Sequence, residues 1–535
     1  MRLTLMILIL LFFSSIKGQS QSIIPKERVQ LTVDRNIYFD DEGIRFGAMV
    51  EMKDSKWLPS ISKTLYVDLL NKNGFVVART KSAIENGKSE GVVVLGQAIK
   101  TGDYFLRGYT RYQRNIDQEK INYISIRVVN VEIPTDEKPS ISKSNQECQS
   151  RKLVDVKKQI NEKMLEVICK PTGIEKLTYR IVGKGLTKAK QIHSTTLSSR
   201  SLMKPEIPFE GLPDILGLTL SGLIQKKDST TEVDDILVSA TVTGKYHQVH
   251  FTRTNQEGLF RFSLPQTSGV QEIILCAIGN NETTNLLIHD DFNFPFKEIE
   301  LQPDTSEWNG KLLQQAYVNH QISKEIFSNH VVAPDESLDT PPVPLSSPTS
   351  NIKLADYVAL MSMQQVLKEI VTNCYVRKND EQLYLKIINP KNQTSYNQPL
   401  LMIDHLPVQR LDDILALDLK EVESIDVFAE EFVMGGEIIK GCLNINTPSK
   451  SALSFKIPNH CKVLEFNTLE KRKSTLHNIS NVPNIGNTLT FIPFQDEGKT
   501  VSIKLPVDLK LENYVLIVTG VGEMGECFYQ ETPLN

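Results

Sequence analysis

The chain has 535 residues, with 60 Lys+Arg against 64 Asp+Glu, which leaves a formal charge of -4. Apolar residues make up 40% and charged residues 23%; that composition excludes wholesale disorder, and the length suits about three to five domains. The balanced charge offers no electrostatic footprint for a phosphate backbone, so no nucleic-acid partner is expected.

Residues 1–18 read as a signal peptide. Arg2 supplies a positive start, and the apolar run from Leu5 to Phe13 (LMILILLFF) is too short to span a bilayer. Small residues follow, and cleavage is expected near Gly18. No later segment reaches 18 uninterrupted apolar residues, so no transmembrane helix is expected, and the first cysteine is Cys148, which leaves no N-terminal lipidated cysteine. The protein is expected to be exported.

From Val29 the pattern has strand character: Val29, Leu31 and Val33 alternate with Gln30, Thr32 and Asp34, the period of a half-buried strand. Leu65–Leu70 runs through Asn71-Lys72-Asn73-Gly74 into Phe75–Ala78, a hairpin with Asn-Gly in its turn. Val92–Leu95, Tyr104–Tyr109 and Ile121–Val131 complete a β-sandwich over residues 19–132. Residues 133–150 read as a polar linker. A second β-domain is expected over 150–212, with strands at Leu165–Ile168 and Leu177–Val182. A third occupies 213–300, with strands at Leu216–Gly222, Ile236–Val242, Phe251–Thr254 and Leu259–Leu264, and a turn at Asn255–Gly258.

Residues 301–350 read as a linker, since five prolines fall between Pro334 and Pro348. Leu360, Met363, Leu367 and Ile370 then repeat at helical spacing and predict an amphipathic helix over Ala355–Val371. Mixed strands and a short helix at Asp412–Leu417 follow to Pro448 within a unit over 351–450, and 451–535 returns to β character. The fold class expected is mainly β: serial immunoglobulin- or macroglobulin-like sandwiches plus one small α+β domain.

The seven cysteines are Cys148, Cys169, Cys276, Cys374, Cys442, Cys461 and Cys527, none in a C-x-x-C pair. The odd count and wide spacing do not resemble a disulfide framework, although one bridge such as Cys148–Cys169 is open. Cys276, inside Ile273–Ile278, reads as a small buried hydrophobe.

No motif reads as a catalytic set. Gly520-Val521-Gly522-Glu523-Met524-Gly525 has the dinucleotide spacing, but too few residues follow it for the helix that would bind a pyrophosphate, so it reads as a hairpin turn. His247 and His250 lie three apart in a strand or hairpin and point to opposite faces of a strand. Asp40-Asp41-Glu42 lacks the alternating ligands of a calcium loop and reads as a solvated turn, and Asp412-Asp413 suits a helix N-terminus. Sequons begin at Asn281, Asn392 and Asn478. No catalytic, cofactor or metal residue is assigned, and no cofactor is expected; an enzyme with carboxylates brought together only by folding is the third alternative.

Several stretches together resemble a family of exported Bacteroidetes proteins that combine macroglobulin-like β-domains with a region similar to the plug of TonB-dependent outer-membrane receptors. Leu31–Tyr38 resembles the opening macroglobulin strand and Gly102–Thr110 its closing strand; Glu42 and Phe46 match the usual pattern, with Asp41 in place of glycine. Leu216–Leu264 is similar to the carboxypeptidase-regulatory-like sandwich, a non-catalytic module. Pro399–Val408 resembles the plug's strand pair, with His405 where glycine is usual. Val422–Phe428, Gly435-Gly436 and Gly441–Pro448 resemble its following strands and loop, without the usual Gly-Pro turn. A receptor barrel needs about 220 residues, and 87 follow Pro448, so a plug without a barrel is expected. The resemblance implies a non-enzymatic binding or scaffold protein of the periplasm, outer membrane or cell surface, with a protein partner. The alternative is an accessory subunit whose plug-like region docks a separate outer-membrane β-barrel in uptake or secretion.

Overall fold

The computed structural model describes residues 27–52, 60–115, 123–135, 138–143, 147–161, 164–173, 176–191, 193–195, 211–226, 232–243, 248–278, 284–292, 294, 299–304, 310–328, 347–357, 362–379, 382–434, 437–448, 461–470, 486–507, 509–522 and 526–534. The signal-peptide reading, His247, Gly435-Gly436, the sequons at Asn281 and Asn478, and most of the proline-rich stretch lie outside them.

The chain opens with β1 (Glu27–Val33), β2 (Ile37–Phe39), β3 (Gly43–Met52), β4 (Thr64–Asn71), β5 (Val76–Ala83), β6 (Lys88–Val94), β7 (Gly102–Tyr109) and β8 (Ile124–Val129). These form an N-terminal sandwich of two sheets, β1-β3-β6 and β2-β8-β7-β4-β5. After β9 (Ser140–Ser142) come β10 (Gln149–Ser150), β11 (Val154–Asn161), β12 (Met164–Pro171) and β13 (Lys176–Gly183), which begin a middle sandwich; β14 (His193–Thr195) then adds to the edge of β1.

An inner sandwich follows: β15 (Gly217–Lys226), β16 (Leu237–Val242), β17 (Gln248–Arg253), β18 (Leu259–Pro265), β19 (Val270–Ile278) and β20 (Thr284–Ile288). β21 (Leu301–Pro303) returns to pair with β9, and the helix α1 (Gly310–Ser328) comes next. The α+β unit contains β22 (Ser350–Lys353), α2 (Met363–Glu369), β23 (Cys374–Asn379), β24 (Gln382–Ile388), β25 (Ser395–Tyr396), β26 (Leu400–Ile403), β27 (Leu406–Val408), α3 (Leu411–Leu415), β28 (Ser424–Met434) and β29 (Glu437–Asn446).

The closing strands run in reverse order of the openings. β30 (Cys461–Asn467) joins the inner sandwich beside β19, completing β17-β16-β19-β30 opposite β18-β15-β20. β31 (Thr488–Gln495), β32 (Val501–Pro506), β33 (Tyr514–Val521) and β34 (Cys527–Pro533) then complete the middle sandwich as β10-β34-β33-β13-β31 against β11-β12-β32. The segment after residue 451 therefore finishes two sandwiches opened earlier. The α+β unit is nested in the inner sandwich and the inner sandwich in the middle one. Local patterning cannot show this, because the pairing partners lie hundreds of residues apart.

Two disulfides join the interrupted sandwiches, Cys148–Cys527 across the middle one and Cys276–Cys461 across the inner one. The proposed Cys148–Cys169 bridge is thus corrected: Cys169 is a buried free thiol, as are Cys374 and Cys442. Cys276 is buried as expected, yet it is oxidised, because β30 lays Cys461 directly opposite it.

Most strand readings match the structure, including the β4–β5 hairpin, where Gly74 adopts φ 82° and Asn71 Oδ1 accepts from the Asn73 and Phe75 amides. Other readings change. β1 is buried on both faces, since Thr32 Oγ1 accepts from Arg180 of the middle sandwich. The expected Ala355–Val371 helix is reduced to a 3-10 turn at Leu354–Asp356 and to α2, which starts where Ser362 caps the Gln365 amide. The 301–350 stretch holds α1, which the sequence did not signal; of its side chains described, over 310–325, only Ala316 is fully buried.

Candidate functional site

The motifs singled out in the sequence do not converge. Gly520 and Gly522 sit at the β33–β34 hairpin, as read. His250 lies on β17, buried enough for desolvation to lower its pKa to about 4, and its Nε2 has no hydrogen-bond partner among the described residues. Asp412 and Asp413 occupy the first turn of α3. Asp40-Asp41-Glu42 forms a turn in which Asp41 has φ 63°, but Glu42 is not solvated: it is enclosed by Arg35 and α1. Among the described residues no group of three or more His, Cys, Asp or Glu stands where it could hold a metal ion.

Chemistry-bearing side chains gather instead where the N-terminal and inner sandwiches meet. On adjacent strands β4 and β7, Tyr66 stands opposite Tyr109 and Asp68 opposite Arg107. Arg107 Nε and Nη2 donate to Asp68 Oδ2 at 3.1 and 2.8 Å, and the Tyr109 hydroxyl donates to the same oxygen at 3.2 Å. The Tyr66 hydroxyl donates to Asp214 Oδ2 at 3.0 Å, and Arg111 Nε lies 3.5 Å from Asp214 Oδ1. Asp291 pairs with Arg111 at 3.1 Å and Lys81 at 2.6 Å, and its carbonyl accepts from Arg114.

Phe292 and Phe294 cover the cluster: Phe294 stacks on Tyr109 at 4.5 Å, and Arg79 lies over Phe292. Burial and the neighbouring Asp214 carboxylate push the Tyr66 phenol well above its ordinary range. Burial works against the Arg111 charge, but Tyr66, Asp214 and Asp291 more than offset it and raise its pKa. The one sequence signal for this cluster was Asp68 itself, a charge inside the apolar run Leu65–Leu70.

A second cluster joins the N-terminal sandwich to the middle one and to α1. Asp34 accepts from the Tyr38 and Thr488 hydroxyls, each at 2.6 Å. Arg35 pairs with Glu42 at 2.7 Å, and Glu42 also accepts from the Phe39 amide at 2.7 Å and faces His320 of α1 at 3.4 Å. Burial alone would raise the Glu42 carboxyl, but Arg35 and His320 hold it below its ordinary value. His320 stacks on Phe39, and Lys324 pairs with Asp41 at 2.7 Å.

In both clusters opposite charges are paired with one another. Ser221 Oγ lies 3.4 Å from His289 Nδ1, which superficially suggests a nucleophile and its base. Ser221 is buried, however, and its oxygen also accepts from Arg111 at 3.4 Å. A nucleophile needs an approach to substrate, and this hydroxyl is packed inside a domain junction. The cavity at the end of the inner sandwich, between Leu218, Gln248, Gln271 and Phe466, holds about 10 Å³, room for one water.

No helix among the described residues is long and apolar enough to cross a membrane. No family model matches the chain, and no curated protein matches it. Among solved structures, trypsin-activated alpha-2-macroglobulin from Escherichia coli aligns with 95% of this chain and 41% of its own, at 9% identity and a TM-score of 0.22. A Salmonella alpha-2-macroglobulin aligns with 95% of this chain and 39% of its own, at 9% identity and a TM-score of 0.23. Latent PorU from Porphyromonas gingivalis aligns with 49% of this chain and 33% of its own, at 10% identity and a TM-score of 0.17. The chain thus spans about two-fifths of the length of the alpha-2-macroglobulins it aligns with.

Proposed function

We propose that the chain is an exported, non-enzymatic binding or scaffold protein of the bacterial envelope, and that its plug-like α+β unit is part of the frame. The observation that carries this reading is the burial on both faces of the central part of that unit's sheet, β22-β28-β29-β26-β27. Leu401, Ile403, Ile425, Val427, Leu443 and Ile445 pack under α2 and α3 on one face. Met402, Phe428, Ile439 and Cys442 pack on Val249 and Phe251 of the inner sandwich on the other. To enter a separate barrel, the unit would have to leave its apolar interface with the inner sandwich.

The apolar leader and the two disulfides support export to an oxidising compartment. The closed charge clusters support a binding role rather than catalysis. The macroglobulin-like and carboxypeptidase-regulatory-like identities of the sandwiches, and association with the outer membrane through exposed surface of the α+β unit, belong to the same reading.

The test is a pull-down of tagged full-length protein from envelopes solubilised in mild detergent, with fractionation of the same cells. Recovery in the envelope without a stoichiometric barrel supports the scaffold reading. A stoichiometric β-barrel partner would replace it with the accessory-subunit reading, and recovery in the cytoplasm would overturn both.

A further inference from the structure

We propose that the outer end of the β28–β29 hairpin is a self-association surface that takes a second copy of this chain. β22 pairs with β28 only over Ser424–Val427, and β26 pairs with β29 only over Cys442–Ile445. Beyond those limits β28 and β29 continue as a two-stranded ribbon, with Glu431 opposite Lys440, Phe432 opposite Ile439 and Val433 opposite Ile438. Among the described residues no further strand pairs with either edge of the ribbon.

Side chains alternate across a ribbon. Phe432, Met434 and Ile439 face inward onto Val249 and Phe251, and Glu437 is tied to Arg253 at 2.8 Å. The outward face therefore carries Val433 and Ile438, 71% and 60% exposed, with Glu431 and Lys440 behind them. Neighbouring Glu430 is engaged with Lys391 at 2.8 Å, whereas neither Glu431 nor Lys440 has an ion-pair partner among the described residues.

This face is complementary to itself. A two-fold axis along the ribbon turns the face over and exchanges its two strands. It sets Val433 on Ile438 of the second copy and Glu431 on Lys440 of the second copy, each contact occurring twice, as an isologous interface requires. A partner of uniform charge would meet one match and one clash. The second copy meets two matches. The patch is small beside the surface of a stable dimer, so the association is weak and concentration-dependent.

The experiment is sedimentation velocity on the full-length protein from about 1 to about 100 µM, the range in which so small an interface registers. Wild type is expected to shift from monomer toward dimer. Glu431→Lys and Lys440→Glu should each move the midpoint upward about tenfold or more, and the double charge swap should restore it. Ile438→Asp, which keeps both charges, should abolish the dimer while thermal melting stays unchanged. A wild-type protein that stays monomeric throughout overturns the proposal. So does a dimer indifferent to the single swaps or to Ile438→Asp, or a folded double swap that fails to recover.

Discussion

Asp68 and His250 show how differently a polar side chain can be placed in these sheets. Asp68 is wholly buried but receives three hydrogen bonds, from Arg107 and Tyr109. A buried charge of this kind is tolerable because its partners are fixed on the adjacent strand. His250 Nε2 has no such partner among the described residues. Its folded pKa near 4 lies below its ordinary 6.5, so between those values the unfolded chain binds a proton that the folded chain refuses. Stability is therefore lost as pH falls through 6.5, and the loss levels off near pH 4. At pH 5 the deficit amounts to about 2 kcal/mol. His250→Leu should narrow the difference in melting temperature between pH 7 and pH 5, and an unchanged difference would refute the assignment. Glu42 adds to the acid sensitivity at lower pH: its carboxyl is held below the ordinary range, so its contribution is present above that range and fades as pH falls through the folded value. Asp68 was visible in the sequence as a charge in an apolar strand, whereas nothing near Glu42 announced that Arg35 and a distant helix would enclose it.

Hairpins were legible because their signals are local: Asn71–Gly74 makes the β4–β5 turn. The start of α2 was not, since apolar spacing extended the helix back to Ala355 whereas Ser362 caps it. The β26–β27 turn is more demanding, since Asp404 and His405 both take positive φ, at 46° and 63°. Asp404 holds that turn by accepting from the Thr447 amide and hydroxyl at 2.8 and 2.6 Å. Helix α1 is the opposite case. Its contacts include Ala316, Leu313 and Tyr317 in a cluster with Leu186 and Phe39, the His320 and Lys324 contacts with the Asp41-Glu42 turn, and the Ala316 carbonyl accepting from Asn487 at 3.1 Å. Among its described side chains the fully buried one is small, which leaves little periodicity to detect. Ala316→Asp would bury an unpaired charge there, so it should strip hydrogen-exchange protection from residues 310–328 while β13 and β33 keep theirs. Retained protection in α1 would show that other contacts hold it.

At the scale of the whole molecule, the middle and inner sandwiches are interrupted domains, each completed by strands that return after everything nested inside it has been built. Each disulfide joins the two halves of one such domain, with sequence separations of 379 and 185 residues. Long closed loops give cross-links their largest effect on the unfolded chain. Replacing Cys276 and Cys461 together by alanine should cost about 2–5 kcal/mol in denaturant unfolding. A loss near zero would mean that β19–β30 pairing alone secures the junction. By itself the sequence determined the β class, the strand positions, most turns and the absence of a recognisable catalytic motif, because these rest on periodicity and turn chemistry over a few residues. Only the tertiary structure decided which strands share a sheet, which cysteines meet, and that the sheet of the α+β unit packs under helices on one face and on the inner sandwich on the other. Those outcomes depend on apolar surfaces and backbone edges finding partners far along the chain, where no local pattern records the match.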